Sequence, residues 1–286
     1  MLDSQTVKKI SDFVYQKPRS MQEIAHYLQK NWRTADAYVE RIIKEQGILS
    51  IRTFREGTRG ALKIVFWSNI EKIHSSDFQE RLFKRIESSK GKDDFSPFDI
   101  YQYVDDDKRY AFLEEQSESV ISPKQNLIGS LRSTEQQVLI FSGNLSWVNA
   151  SQGKTKIMDV FEELAERSIP IKILCRVDIE SIKKIRMMLE INHKIKKEMI
   201  EIRHAEQPFR TFVIDTKLAR FKEIRVTEQP EKKKKKSHDN KQPYIFYEIR
   251  DSDWVEWVQK VFWNIFRTSI KAEKRIADIE TIENIK

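Results

Sequence analysis

The residues of this 286-residue chain best suited to chemistry are cations set close to glycines and to small polar side chains. Arg52, Arg55, Arg59 and Lys63 surround Gly57 and Gly60, where guanidinium and ammonium groups on a turn can neutralise phosphate and release its counterions. A second group, Asn31, Arg33, Thr34, Tyr38, Arg41 and Lys44, supplies donors and acceptors at helical spacing. Other chemistries are poorly served. Cys175 is the single cysteine and sits in the apolar run 171–177, which suits a buried structural thiol and excludes a multi-thiolate metal site. His26, His74, His193, His204 and His238 never pair at the i, i+4 spacing of a helical metal site, so no metal is expected. Glycines at 47, 57, 60, 91, 129, 143 and 153 spell neither a dinucleotide fingerprint nor a phosphate loop, so no cofactor is expected either.

The elements that must position these cations can be read from periodicity. Val7, Ile10, Phe13 and Val14 recur at helical spacing up to Pro18, which has no amide to donate. Ser20 is a good N-cap, and Glu23 completes a capping box ahead of Ile24, Ala25 and Leu28. A third amphipathic helix is expected from near Thr34 to Gly47, with Trp32 packed as a staple just before it. Two β-rich runs, 48–54 and 62–67, are joined by residues 55–60. This order resembles a winged helix-turn-helix over residues 4–68. The resemblance places Asn31, Arg33 and Thr34 in the major groove with Tyr38, Arg41 and Lys44 farther along, and Arg52, Arg55, Arg59 and Lys63 on the phosphate backbone. Asp36, Glu40 and Glu45 are expected to be merely solvated. Winged helices also mediate protein contacts, so the fold alone leaves both partners open.

Charge follows the same division. The chain is 39% hydrophobic with six Trp and sixteen Phe, enough for real cores, and carries a net +8. Residues 1–68 hold twelve Lys/Arg against seven Asp/Glu, while residues 69–130 hold nine against thirteen. The middle segment, 69–130, is expected to be a helical connector able to serve in dimerisation. From residue 131 to 286, strands at 137–141, 169–177, 200–203, 210–214 and 244–249 alternate with helices at 154–167 and 179–198, which argues for a sheet covered by helices. A terminal helix, 253–270, bears Trp254, Trp257, Val261, Phe262, Ile265 and Phe266, a stripe expected to close the core rather than to form a dimer seam. The lysine run 232–236 reads as a solvated loop, with phosphate contact as its functional alternative. No apolar run is long enough to cross a bilayer, and a cytoplasmic protein is expected.

Ser142-Gly143-Asn144-Leu145-Ser146-Trp147 after a strand, together with residues 208–215, resembles one phospholipase D-like half domain. Behind a winged helix, it resembles the TrmB-type family of archaeal transcription regulators. The expected fold is therefore an α+β winged helix-turn-helix domain (1–68), the connector (69–130) and an α/β phospholipase D-like domain (131–286). Catalytic members of that superfamily carry His-x-Lys-x-x-x-x-Asp, and the positions matching it here are Pro208, Arg210 and Asp215. Proline has no nucleophile, which implies a degenerate site. Arg210 and Asp215 would remain as an anion- or effector-binding remnant or as a structural ion pair. His204 stands too far from Asp215, with Glu206 where the lysine belongs. The resemblance further implies double-stranded DNA as partner, a homodimer and a small acidic effector. A phosphodiesterase or nuclease, and a protein-interaction adaptor, are the rival readings.

Overall fold

A computed structural model of the chain describes residues 4–46, 49–55, 61–67, 76–116, 120–122, 126–224 and 242–283. Helix α1 (Ser4–Gln16) buries Ile10 and Val14, and the chain leaves it through Pro18 into the short strand β1 (Arg19–Ser20). Ser20 then caps α2 (Met21–Tyr27) reciprocally: its hydroxyl accepts from Glu23 N at 3.2 Å, and its amide donates to Glu23 Oε2 at 2.7 Å. Helix α3 (Trp32–Gln46) opens two residues before Thr34, because Asn31 Oδ1 accepts the Thr34 amide at 2.8 Å and so acts as the cap. Strands β2 (Leu49–Arg55) and β3 (Ala61–Trp67) pair antiparallel and complete a three-stranded sheet of order β1-β3-β2. This is the topology of a winged helix-turn-helix, with Ile10, Met21, Ile24, Val39, Leu49 and Val65 in its core.

The hairpin alternates with period two, and both of its faces are used. Leu49 and Val65 turn toward the helices, whereas Phe54 and Ile64 enter a second core shared with the rest of the chain. That core includes α4 (Ser76–Ser88), which buries Phe78, Leu82 and Ile86, and α5 (Phe98–Tyr101). The segment expected to be a helical connector then changes character. Residues Arg109–Gln116 form strand β4, paired antiparallel with a strand near the carboxyl terminus. Residues 110–113, Tyr-Ala-Phe-Leu, form a short apolar run in which two of four residues are aromatic, a composition that suits a strand.

Helix α6 (Leu127–Arg132) precedes strand β5 (Val138–Phe141), a small hairpin of β6 (Ser151–Gln152) and β7 (Thr155–Lys156), and helix α7 (Ile157–Glu166). Then come β8 (Ile171–Cys175), α8 (Ile179–Ile195), β9 (Ile200–His204), β10 (Thr211–Ile214), β11 (Leu218–Ile224) and β12 (Gln242–Ile249). Helix α9 (Ser252–Thr268), β13 (Ile270–Lys271) and α10 (Ala272–Glu283) end the described chain. Eight strands form one sheet in the order β13-β9-β8-β5-β10-β11-β12-β4, in which β5, β8 and β9 are parallel and the remaining pairings antiparallel. One face packs on α6, α7, α8 and α10. The other packs on α9, α4, α5 and the amino-terminal hairpin. Val255, Val258, Val261, Phe262 and Phe266 of α9 are all buried there, so its apolar stripe closes the core. Strand β11 and helix α10 are additions to the reading from periodicity.

Candidate functional site

Helix α3 is amphipathic in a way that exposes its start. Ala35, Val39 and Ile42 are buried, while Trp32, Arg33, Ala37 and Arg41 lie on the outer face. Asn31 and Thr34 are partly committed elsewhere: the Thr34 hydroxyl sits 3.0 Å from Asn31 Oδ1, the oxygen that also caps the helix. Tyr38 is half-buried, and Lys44 belongs to the last turns of α3. Trp32 is 40% exposed and so is not the core staple expected of it. Its ring lies 5.2 Å from Lys63 Nζ, a cation–π contact that holds it beside the hairpin.

Two of the hairpin cations face the fold rather than solvent. Lys63 Nζ donates to both carboxylate oxygens of Asp36, at 2.7 and 2.9 Å, and so ties β3 to α3. Arg52 stacks over Tyr101 at 5.1 Å and near Phe54 at 5.8 Å, because the opposite face of the hairpin is itself an interface. Arg52 and Lys63, expected on the phosphate backbone, are thus both engaged within the chain. Asp36, expected to be solvated, is the partner that holds Lys63. Arg55 closes β2 opposite Ala61. Arg59 and the lysine run 232–236 lie outside the described residues.

A cleft of about 350 Å³ opens at the carboxyl ends of the parallel strands β5, β8 and β9, the place where open α/β sheets bind ligands. Lys90, Lys92, Arg176 and Arg210 line it against Asp93 and Glu206, so cations outnumber acids. Its polar floor is ordered by the residues that follow β5. Ser142 Oγ accepts from Leu145 N at 3.2 Å and Trp147 Nε1 at 3.1 Å, and Gln207 Nε2 donates to the Ser142 carbonyl at 2.9 Å. Arg210 Nη1 donates to the Phe209 carbonyl at 2.6 Å. The rest of the guanidinium lies against Gly143, where an added methyl would come within 2.5 Å of Nη2. Glycine at 143 is what lets the arginine lie so close to the strand end.

Arg210 and Asp215 are not brought together. Strand β10 runs between them, so Arg210 faces the cleft while Asp215 stands at the far end. Asp215 is 1% exposed and accepts the amides of Glu135, Gln136 and Gln137 at 3.0, 2.8 and 3.0 Å. It organises the entry to β5 and has no access to an effector, nor does it bridge Arg210. Pro208 is buried. His204 Nδ1 accepts the Val177 amide at 2.9 Å, and burial, followed by the field of Arg275, holds its imidazole below the ordinary value. Burial pushes the Cys175 thiol up to about 12, which leaves it protonated and inert.

Sequence reasoning missed Lys90, Lys92, Arg176, Ser142 and Gln207 as lining residues. Arg176 carried a signal, since it directly follows a buried strand, but only the strand order tells which strand ends converge. The reading also missed Arg220 and Glu248, an ion pair 3% and 5% exposed on β11 and β12. Nothing in their local sequence marks them as buried.

No protein-family model matches the chain, and no curated protein does. Among solved structures the chain is similar to TrmBL2, described as an archaeal chromatin protein that shows a novel mode of DNA binding, at 13% identity over 94% of each chain with a TM-score of 0.40. It is also similar to a phospholipase D family member, Nuc from Salmonella typhimurium, at 10% identity over 57% of this chain and 97% of that one, with a TM-score of 0.38. NucT from Helicobacter pylori aligns at 12% identity over 57% of this chain and 99% of its own, with a TM-score of 0.36. At these identities and scores, the functional reading rests on the residues of this chain.

Proposed function

We propose that the chain is a DNA-binding transcription regulator that reads duplex DNA through α3 and acts as a homodimer. The observation that carries this is the division of α3: Ala35, Val39 and Ile42 lock it to the core, while Arg33 and Arg41 stand on the exposed face at its start and middle. A net of +5 over residues 1–68 supports the same reading. In this proposal Arg33, Thr34, Tyr38, Arg41 and Lys44 approach the groove, and Arg55 and Arg59 approach the backbone. Salt titration of duplex binding tests it. Affinity is expected to fall steeply with salt as phosphates are neutralised, and Arg33→Ala is expected to change sequence preference where Arg55→Ala weakens all sequences alike. A full-length chain that ignores duplex DNA at low salt would favour the protein-interaction adaptor. Sedimentation with and without DNA checks the dimer, and a monomer under both conditions would remove it.

The cleft with Arg210 and Arg176 is proposed to receive a small acidic effector, because planar guanidinium groups suit carboxylate or phosphate. Phosphodiester cleavage is not proposed. Pro208 offers no nucleophile, and among the described residues neither histidine nor cysteine lines the cleft. Turnover of a generic phosphodiester by the wild type, lost on His204→Ala, would reverse that view.

A further inference from the structure

Of the six tryptophans, Trp32 alone is exposed; Trp257 is buried and the other four are half-buried. Its place follows from helical spacing. Trp32, Asp36 and Glu40 recur every four residues and form one row along α3, beside the row of Arg33, Ala37 and Arg41, all three of them exposed. The first row runs next to β3, as the contacts of Lys63 show. Lys63 Nζ donates to Asp36 at 2.7 and 2.9 Å, stands 3.9 Å from Glu40 Oε1 and lies 5.2 Å from the centre of the Trp32 ring. The indole therefore sits in the corner between the start of α3 and the hairpin.

Three interactions hold it there in the free chain. Asn31 Oδ1 accepts the Thr34 amide and so sets the first turn of α3, from which Trp32 projects. Lys63 lies over the ring as a cation–π partner, and Asp36 in turn holds Lys63. A ring that is held in place and still 40% exposed has already lost much of the rotamer freedom that association would otherwise cost. The same cluster adjusts the local charge. Lys63 offsets Asp36, the carboxylate next along the row from the ring, and so lessens its repulsion of a polyanion.

We infer that Trp32 packs on a deoxyribose of duplex DNA at the edge of the groove that α3 enters, an inference that rests on the DNA-binding reading and adds an apolar contact to it. The chemistry of the duplex selects the sugar. Base faces are covered by their neighbours in the stack, and a phosphate is better served by a guanidinium such as that of the adjacent Arg33, whereas deoxyribose turns C–H groups to solvent between phosphates. Because every nucleotide carries the sugar, the contact adds affinity without choosing a sequence. An indole neutralises no phosphate, so the contact adds nothing to the salt dependence. These two properties separate Trp32 from Arg33, which is expected to alter sequence preference, and from Arg55, which is expected to alter the response to salt.

Binding of the full chain to several unrelated synthetic duplexes, measured over a series of salt concentrations, tests the contact. Trp32→Ala is expected to weaken binding to every duplex by about tenfold and to leave the slope of log Kd against log salt unchanged. Trp32→Phe keeps an aromatic face and is expected to stay within about threefold of the wild type. Acrylamide quenching of tryptophan fluorescence gives a readout that does not depend on affinity. The free wild type is expected to be quenched more than free Trp32→Phe, and the difference is expected to vanish when both are saturated with duplex, because the sugar covers the indole. Undiminished binding by Trp32→Ala, a loss confined to some sequences, a shallower salt slope, or a quenching difference that survives saturation would each overturn the assignment. A wild type that binds duplex DNA no better than Trp32→Ala removes this contact alone, whereas a wild type that ignores duplex DNA removes the DNA-binding reading and the contact with it.

Discussion

At the scale of single residues, three groups that resembled chemistry serve the fold, and each gives a measurable consequence. His204 accepts the Val177 amide through a neutral Nδ1, so protonation would break that bond. Its folded imidazole titrates below the ordinary value of about 6.5, and the unfolded chain therefore takes up the proton at higher pH. The group favours folding above that pH and loses its contribution as pH falls through the lower folded value. Urea unfolding at pH 7.5, 6.5 and 5.5, values that bracket the ordinary imidazole pKa, is expected to show a steeper decline for the wild type than for His204→Gln. Parallel declines would clear His204. Asp215→Ala strips three backbone amides of their acceptor and is expected to cost roughly 3 kcal/mol in the same measurement. Cys175, fully buried with its thiol pushed up to about 12, is expected to resist alkylation in the native chain and to react once unfolded.

At the scale of elements, the amino-terminal hairpin matters more than a free wing would. Phe54 meets Tyr247 edge to face at 6.5 Å, Phe66 meets Phe98 at 4.6 Å, and Tyr101 lies between the guanidinium groups of Arg52 and Arg109 at 5.1 and 5.0 Å. The body of the hairpin is thus packed between two cores. Phe54→Ala is expected to destabilise the chain by about 3–5 kcal/mol, as for other buried phenylalanines. A loss below about 1 kcal/mol in equilibrium unfolding would show that the clamp carries little. The cap of α2 is a smaller device, and Ser20→Ala is expected to cost about 1 kcal/mol.

At the scale of the molecule, the continuous core from Phe54 and Ile64 through α5 to the large sheet couples the two units. A fragment of residues 1–75 would leave Phe54, Ile64 and Phe66 without their partners. Such a fragment is expected to aggregate or to melt well below the full chain, as size-exclusion chromatography and circular dichroism would record. A monodisperse fragment as stable as the full chain would mean that the shared core is dispensable.

The sequence by itself determined many of the helices and strands, though not β4, β11 or α10. Ser20 with Glu23, Pro18, the helical stripes and the strand runs from 137 to 249 all act through contacts a few residues apart, so their signals are local. It also determined that Pro208 cannot act as a nucleophile, since that follows from residue type alone. Only the tertiary structure decided where the strands stand in the sheet. Strand β4 joins β12 across more than a hundred residues, β10 sends Arg210 and Asp215 to opposite ends, and the hairpin turns Arg52 and Lys63 inward. The buried pair of Arg220 and Glu248 was hidden for the same reason: a charged residue on a strand looks solvated until the neighbouring strands and the packing over that face are known.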